Sequence, residues 1–197
     1  MKILLASIIL IFSAPSMAGG DESDEMTDFL EEGTVQIKSL ATSLKTKLIE
    51  AMQNGGPGNA IEVCNLEAPV ITSEINAQSN LEVKRTSLKI RNPDNTPDEW
   101  EIMVLNKFQD QLDSGIPMKE INYAEVIEKD GVKTYRMMKP IPAGGVCLAC
   151  HGPADALPNE VKQALKTKYP NDQATGYSAG QLRGAFSVTQ TIQPQDS

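Results

Sequence analysis

Gly144-Gly145-Val146-Cys147-Leu148-Ala149-Cys150-His151-Gly152 is the stretch around which the rest of this chain is read. Two thiols with two residues between them, followed at once by an imidazole, form the attachment signature of a c-type haem. The spacing has a mechanical reason. Thiols at that separation reach the two vinyl groups of one porphyrin, and the ring is then held over the next side chain, whose imidazole binds the iron. His151 is the only histidine among the 197 residues, and it occupies the one position this chemistry requires.

Two other chemistries use the same residue types. A disulfide oxidoreductase sets its Cys-x-x-Cys between a buried strand and a helix. Here Gly144-Gly145 precedes and Gly152-Pro153 follows, which reads as a loop on both sides. A zinc site of Cys64, Cys147, Cys150 and His151 has a suitable count. Cys150 and His151 are adjacent, however, and neighbours reach one tetrahedral ion only with strain. Haem c, one covalent group held by Cys147 and Cys150 with His151 on the iron, is the expectation.

Residues 1–18 have the build of a secretory signal: Lys2, an apolar run over 3–12, and a small-x-small cleavage site at Ser16-Met17-Ala18. The run is shorter than the ~20 apolar residues a spanning helix needs, and no later stretch is longer. Export to a bacterial periplasm is therefore expected, with no membrane span in the mature chain. Haem attachment of this type takes place outside the cytoplasm, in a compartment that tolerates thiol oxidation. The formal charge of −8 argues against nucleic acid as a partner and permits docking to a basic redox protein. The expected division is a signal at 1–18, an acidic flexible leader at 19–26, one haem domain at 27–192 and a polar tail at 193–197.

Over 27–53, Val35, Ile37, Leu40, Leu44, Leu48 and Met52 recur mainly at three- and four-residue steps, which predicts an amphipathic helix. Asn54-Gly55-Gly56-Pro57-Gly58 stops it. Asn59 is placed to cap a second helix, along which Ile61, Cys64, Ala68, Ile71 and Ile75 form an apolar stripe. Pro69 lies inside that stripe and predicts a kink just after Cys64. Cys64 then has two readings, an inert core thiol or a thiolate ligand of the iron.

Residues 81–90 read as a strand carrying Lys84, Arg85 and Lys89, and 91–97 as a proline-punctuated turn. Thr96-Pro97-Asp98-Glu99 predicts a helix capped by Thr96 with Glu99 completing the box. Its apolar face is Trp100, Val104, Phe108 and Leu112, and Gly115 closes it. Trp100 is read as core, with a cofactor wall as the alternative. Segments 123–129 and 132–139 flank Asp130-Gly131, a hairpin signal. A helix over 158–169 and a strand over 182–192 complete the chain. Helices first, a hairpin in the middle and a strand last predict α+β, an antiparallel sheet with flanking helices.

Several blocks together carry a family resemblance. They are Ala60-Ile61-Glu62-Val63-Cys64 with Ala68-Pro69, Arg85-Thr86-Ser87-Leu88-Lys89 with Arg91-Asn92-Pro93, then Asn95, Pro97, Asp98, Trp100 and Glu101. The haem motif follows, and Gly180 with Gly184-Ala185-Phe186-Ser187-Val188 closes the pattern. The chain resembles a family of secreted c-type haem domains with a PAS-like fold, long described as a domain of unknown function. The resemblance implies a PAS-like sheet and iron held by histidine on one side and cysteine on the other, hence His151 and Cys64. Ligation by Met52, Met103, Met118, Met137 or Met138, or an open position, are the rivals.

The two propionates of a haem need cationic or donor partners. Arg85 and Arg91 are the candidates, with Lys84, Lys89 and Tyr135 behind them. Electron transfer or redox sensing follows as the expected role, and a haem-based sensor that admits a small gas and signals to a separate protein is the alternative. A peroxidase-like enzyme would need a distal base, and the sole histidine is already used on the proximal side.

Overall fold

The computed structural model describes residues 22–193, so the signal, the start of the leader and the end of the polar tail lie outside the described residues. The first element, α1, runs Glu22–Asn76 and is broken at Gly55 (φ −167°, ψ 20°) and Gly56 (φ 73°, ψ −173°). Gly56 sits in the left-handed region that glycine enters without steric cost. The break folds the second arm back along the first. Lys47 Nζ lies 3.8 Å from Glu67, and Leu40 and Leu44 share a cluster with Ile71 and Ile75.

Four expectations for this region are corrected. The acidic residues from Glu22 onward are helical rather than loose, and Glu25 accepts a hydrogen bond from the Tyr135 hydroxyl at 2.6 Å. Val35 is 68 % exposed; the buried stripe is instead Phe29, Gly33, Ile37 and Leu40. Asn59 does not cap with its oxygen but donates through Nδ2 to the Ala51 carbonyl at 2.9 Å, which ties the two arms across the break. Helix α1 also continues through Pro69, its non-helical dihedrals being confined to Gly55 and Gly56. Burial of Ile61, Ala68 and Ile75 on one side of the arm offsets the single backbone bond that Pro69 removes.

Strands β1 (Glu82–Thr86), β2 (Tyr123–Lys129), β3 (Val132–Pro142) and β4 (Leu182–Ile192) form one antiparallel sheet in the order β1-β4-β3-β2. Asp130 (φ 54°) and Gly131 (φ 78°) make the β2–β3 turn, as the Asp-Gly pair predicts. The open edge of β1 is closed by Asn76, whose side chain accepts from Val83 N at 2.9 Å and donates to Val83 O at 3.2 Å. Alternation along the strands gives the sheet two covered faces. Val83, Tyr135, Met137 and Val188 pack under α1, while Met138 and Ala185 pack under α2 (Glu99–Asp113) with Val104 and Phe108. At Gly33 a Cβ would meet Met137 Sδ at 2.6 Å, so α1 lies close on the sheet there and a larger residue would require the Met137 side chain to move.

The cap of α2 is Asp98, two residues later than Thr96: its carboxylate accepts from Glu101 N at 2.8 Å, and Glu101 returns a bond to Asp98 N at 3.0 Å. Thr96 is drawn into the preceding short turn, where its hydroxyl donates to Pro93 O. Trp100 packs against Tyr123 and Arg136 on the α2 side of the sheet and is no part of the cavity described below. Helices α3 (Leu148–His151) and α4 (Asn159–Lys168) follow, α4 seating Val161 and Leu165 against Ile61 of α1. No helix among the described residues is long and apolar enough to cross a membrane. Asp98→Ala removes the cap and should lower unfolding stability by about 1 kcal/mol, read from urea denaturation, with Thr96→Ala costing less.

Candidate functional site

Folding the arms of α1 together leaves a cavity of about 270 Å³ between that helical hairpin, one end of the sheet and the loop before α3. Leu44, Leu48, Ile61, Ile141 and Val146 supply apolar wall. Cys64, Cys147, Cys150, His151, Arg85 and Arg91 all line it, so the three cysteines, the histidine and the two leading arginine candidates meet in one place. None of the five methionines considered as ligands is among the lining residues: Met137 and Met138 are buried on opposite faces of the sheet. Of the secondary cationic or donor candidates, Lys89 lines the cavity. Lys84 instead pairs with the buried Glu101 at 3.0 Å, and Tyr135 is engaged with Glu25.

The motif itself forms a short 3-10 turn over Gly145–Cys147 that runs into the single turn of α3. Cys147 and Cys150, three apart, therefore lie on one side of a helical turn. Gly152 ends it, donating its N–H to Leu148 O at 3.0 Å. A Cβ at Gly152 would sit 2.6 Å from that same carbonyl, so the tight exit of the chain depends on glycine.

The ring of His151 is fixed from two directions. Its Nδ1 lies 2.6 Å from the Ala174 carbonyl, and a carbonyl only accepts, so Nδ1 carries the proton. Nε2 then presents a lone pair, with Arg91 Nη1 at 3.5 Å. Burial, reinforced by the Arg91 and Arg183 cations, pulls the imidazole pKa down to about 2, so the ring is neutral. A neutral imidazole with a free Nε2 is the form a metal binds.

Cys64 is half-buried on the second arm of α1. Burial pushes its thiol up from the usual range, while Arg85 and Arg91 pull it down. Arg85 lines the cavity and has no hydrogen-bond or ion-pair partner among the described residues. Burial also lowers its pKa, but a guanidinium keeps its charge. Arg183 donates from Nη1 to Ser87 Oγ at 2.9 Å and leaves its buried Nε unpartnered. Arg91 is committed elsewhere, its Nε 3.0 Å from Asp172 Oδ1. Among the described residues Lys45, Arg85, Lys89, Arg91 and Arg183 all border the cavity and no carboxylate does, in a chain whose formal charge is −8.

Three thiols, a metal-ready imidazole, apolar walls and a surplus of cation suit an apolar planar group that carries a metal and carboxylates. Arg183, Asp172 and Ala174 were not singled out from the sequence. Arg183 stands directly before Gly184 and could have been noticed there, whereas Asp172 lies 81 positions from the arginine it holds and gives no local signal. Gly152→Ala should cost about 1–3 kcal/mol in urea unfolding. Gly145→Ala, where a Cβ meets nothing within 4 Å, should stay within about 0.5 kcal/mol of the parent.

The family model described as Tll0287-like matches residues 22–191. Among solved structures, the crystal structure of the cyanobacterial heme-protein Tll0287 is similar in fold. It has 24 % sequence identity and a TM-score of 0.58, and the match covers 84 % of this chain and 96 % of that one. No curated protein matches. A match to the family model over nearly all the described residues decides the relationship: the chain belongs to the Tll0287-like family.

Proposed function

We propose that this chain is an exported, periplasmic single-haem c-type domain, its sheet and helices PAS-like, that works in electron transfer or redox sensing. Cys147 and Cys150 would hold the porphyrin covalently, and His151 and Cys64 would be the protein ligands of its iron. The observation that carries the reading is the meeting, in one cation-lined cavity, of the whole Cys-x-x-Cys-His motif with Cys64 from a distant helix. A fold-level relative described as a heme-protein supports it.

Haem supplies a one-electron iron couple when bound. The chain's own residues do the rest. The 3-10 turn and α3 hold the two thiols on one side of the chain, the Ala174 carbonyl keeps the imidazole proton on Nδ1, and Leu44, Leu48 and Ile61 from the arms of α1 give the cavity apolar wall. Arg85 and Arg183 have unpaired donor capacity suited to propionates. A thiolate from Cys64 would place negative charge beside a bound iron and so favour its oxidised state.

The gas- or redox-sensor reading has one observation in its favour. The break at Gly55-Gly56 comes just before the arm that carries Cys64, which is where a hinge moving that arm would lie. Carbon monoxide titration of the reduced protein separates the two: no uptake supports a carrier, and ready uptake with loss of the thiolate supports a sensor.

Full-length protein made with a cytochrome-maturation system should gain the mass of one haem that survives denaturation. Cys147→Ser with Cys150→Ser should lose it, and a colourless parent at bare-chain mass ends the proposal. In the oxidised protein, Cys64→Ala should abolish the low-spin thiolate signals in optical and paramagnetic spectra. Cys64→Met should raise the reduction potential; spectra unchanged in both variants would remove Cys64 from the iron.

A further inference from the structure

Arg91 and Asp172 form a nearly buried ion pair, their side chains 11 % and 8 % exposed. The carboxylate is bidentate: Oδ1 accepts from Arg91 Nε at 3.0 Å and Oδ2 from Nη2 at 3.1 Å. Oδ1 also accepts from Ala174 N–H at 3.0 Å, so the same group grips the arginine and the loop. Arg91 Nη2 reaches past it to the Cys150 carbonyl at 2.6 Å and the Ala174 carbonyl at 3.3 Å. The Ala174 oxygen is the one that receives His151 Nδ1. Tyr177 N to His151 O (2.9 Å) and Gly176 N to Gly152 O (2.8 Å) lace the loop to the motif.

We propose that Asp172 and Arg91 are positioning residues for His151, fixing the ring in its Nδ1-protonated tautomer with Nε2 bare toward the cavity. The proposal rests on the haem reading for its purpose, though not for its geometry. A neutral histidine free in water prefers the opposite tautomer, with the proton on Nε2, which cannot bind a metal through that atom. Two contacts reverse this preference. The Ala174 carbonyl can only accept, which demands a proton on Nδ1; Arg91 Nη1 can only donate, which demands a lone pair on Nε2. Asp172 holds both in register, since it binds the arginine through two nitrogens and the backbone of Ala174 through a third bond. Arg91 is on this account a holder of the ring rather than an anion partner, and Arg85 and Arg183 are left for carboxylates.

Because His151 is the sole histidine, its ring nitrogens give one spin system in the full chain labelled with ¹⁵N-histidine. In haem-free parent protein near neutral pH, the shifts should report protonated Nδ1 and bare Nε2. Asp172→Ala and Arg91→Gln should move the population several-fold toward Nε2–H, Asp172→Glu should retain the parent form, and the exposed Asp155→Ala should change nothing. Parent-like ring shifts in folded Asp172→Ala and Arg91→Gln would overturn the proposal. If either variant unfolds, Asp172→Asn, of the same size, provides the same readout. In haem-loaded protein, Asp172→Ala should also alter the paramagnetic g-values of the oxidised state. A parent that takes up no haem would defeat the proposed function while leaving the ring result to decide this inference alone.

Discussion

Leu44 and Cys64 line the same cavity although twenty residues of helix separate them. An unbroken helix would set them about 30 Å apart at 1.5 Å per residue. Everything else in the architecture depends on the chain giving up two helical residues, Gly55 and Gly56, so that α1 becomes a hairpin of two arms. The first arm can then lie on the sheet through Phe29, Ile37 and Leu40. The second returns beside it with Cys64 on its inner side and offers Ile61 to α4. Asn59 stabilises the reversal by spanning it to Ala51. The break costs little because glycine reaches φ 73° freely and Pro57, early in the second arm, has no N–H to satisfy.

The cavity that results is electrostatically unlike the rest of the molecule. Among the described residues of an acidic chain, five cations stand around one opening and no carboxylate lines it. Cations brought together this way repel one another and lose hydration, and the burial-driven lowering of the Arg85 and Arg183 pKa values records part of that cost. Asp172 relieves it by direct pairing at Arg91 and, at longer range, by its charge at Arg183. The Arg85 side chain and the Arg183 Nε keep unspent donors, which is intelligible if a ligand with negative charge completes the site.

How far the sequence could be read depended on whether a feature is local. Helical stripes, the Asp-Gly turn with both residues at positive φ, and the glycine-proline break are written in neighbouring residues, and they were legible. Where two local signals compete, only packing chooses. Thr96 and Asp98 can each cap α2, and the short turn at Pro93–Asn95 claims Thr96, leaving the box to Asp98 and Glu101. Val35 fits a helical stripe in period but not in phase, because Gly33 marks the side that touches the sheet. Pro69 suggests a kink, yet the burial of three side chains around it outweighs one missing bond. The Arg91–Asp172 pair joins residues 81 apart and has no sequence signature.

Cys64 shows why the surroundings of the proposed haem matter as much as its attachment motif. In the haem-free chain burial holds this thiol above its ordinary pKa, so the protein fold alone does not make a thiolate of it. The nearby Arg85 and Arg91 cations work in the opposite direction without overcoming burial. A positively charged centre beside the Nε2 lone pair would add the missing attraction, and Cys64 and His151 both line the cavity in which it would sit. The apolar walls that raise the thiol pKa when the chain stands alone would then strengthen that attraction by excluding water from between the charges. On this account the same burial that raises the Cys64 thiol in the unfilled chain would strengthen its attraction to the iron of the proposed haem.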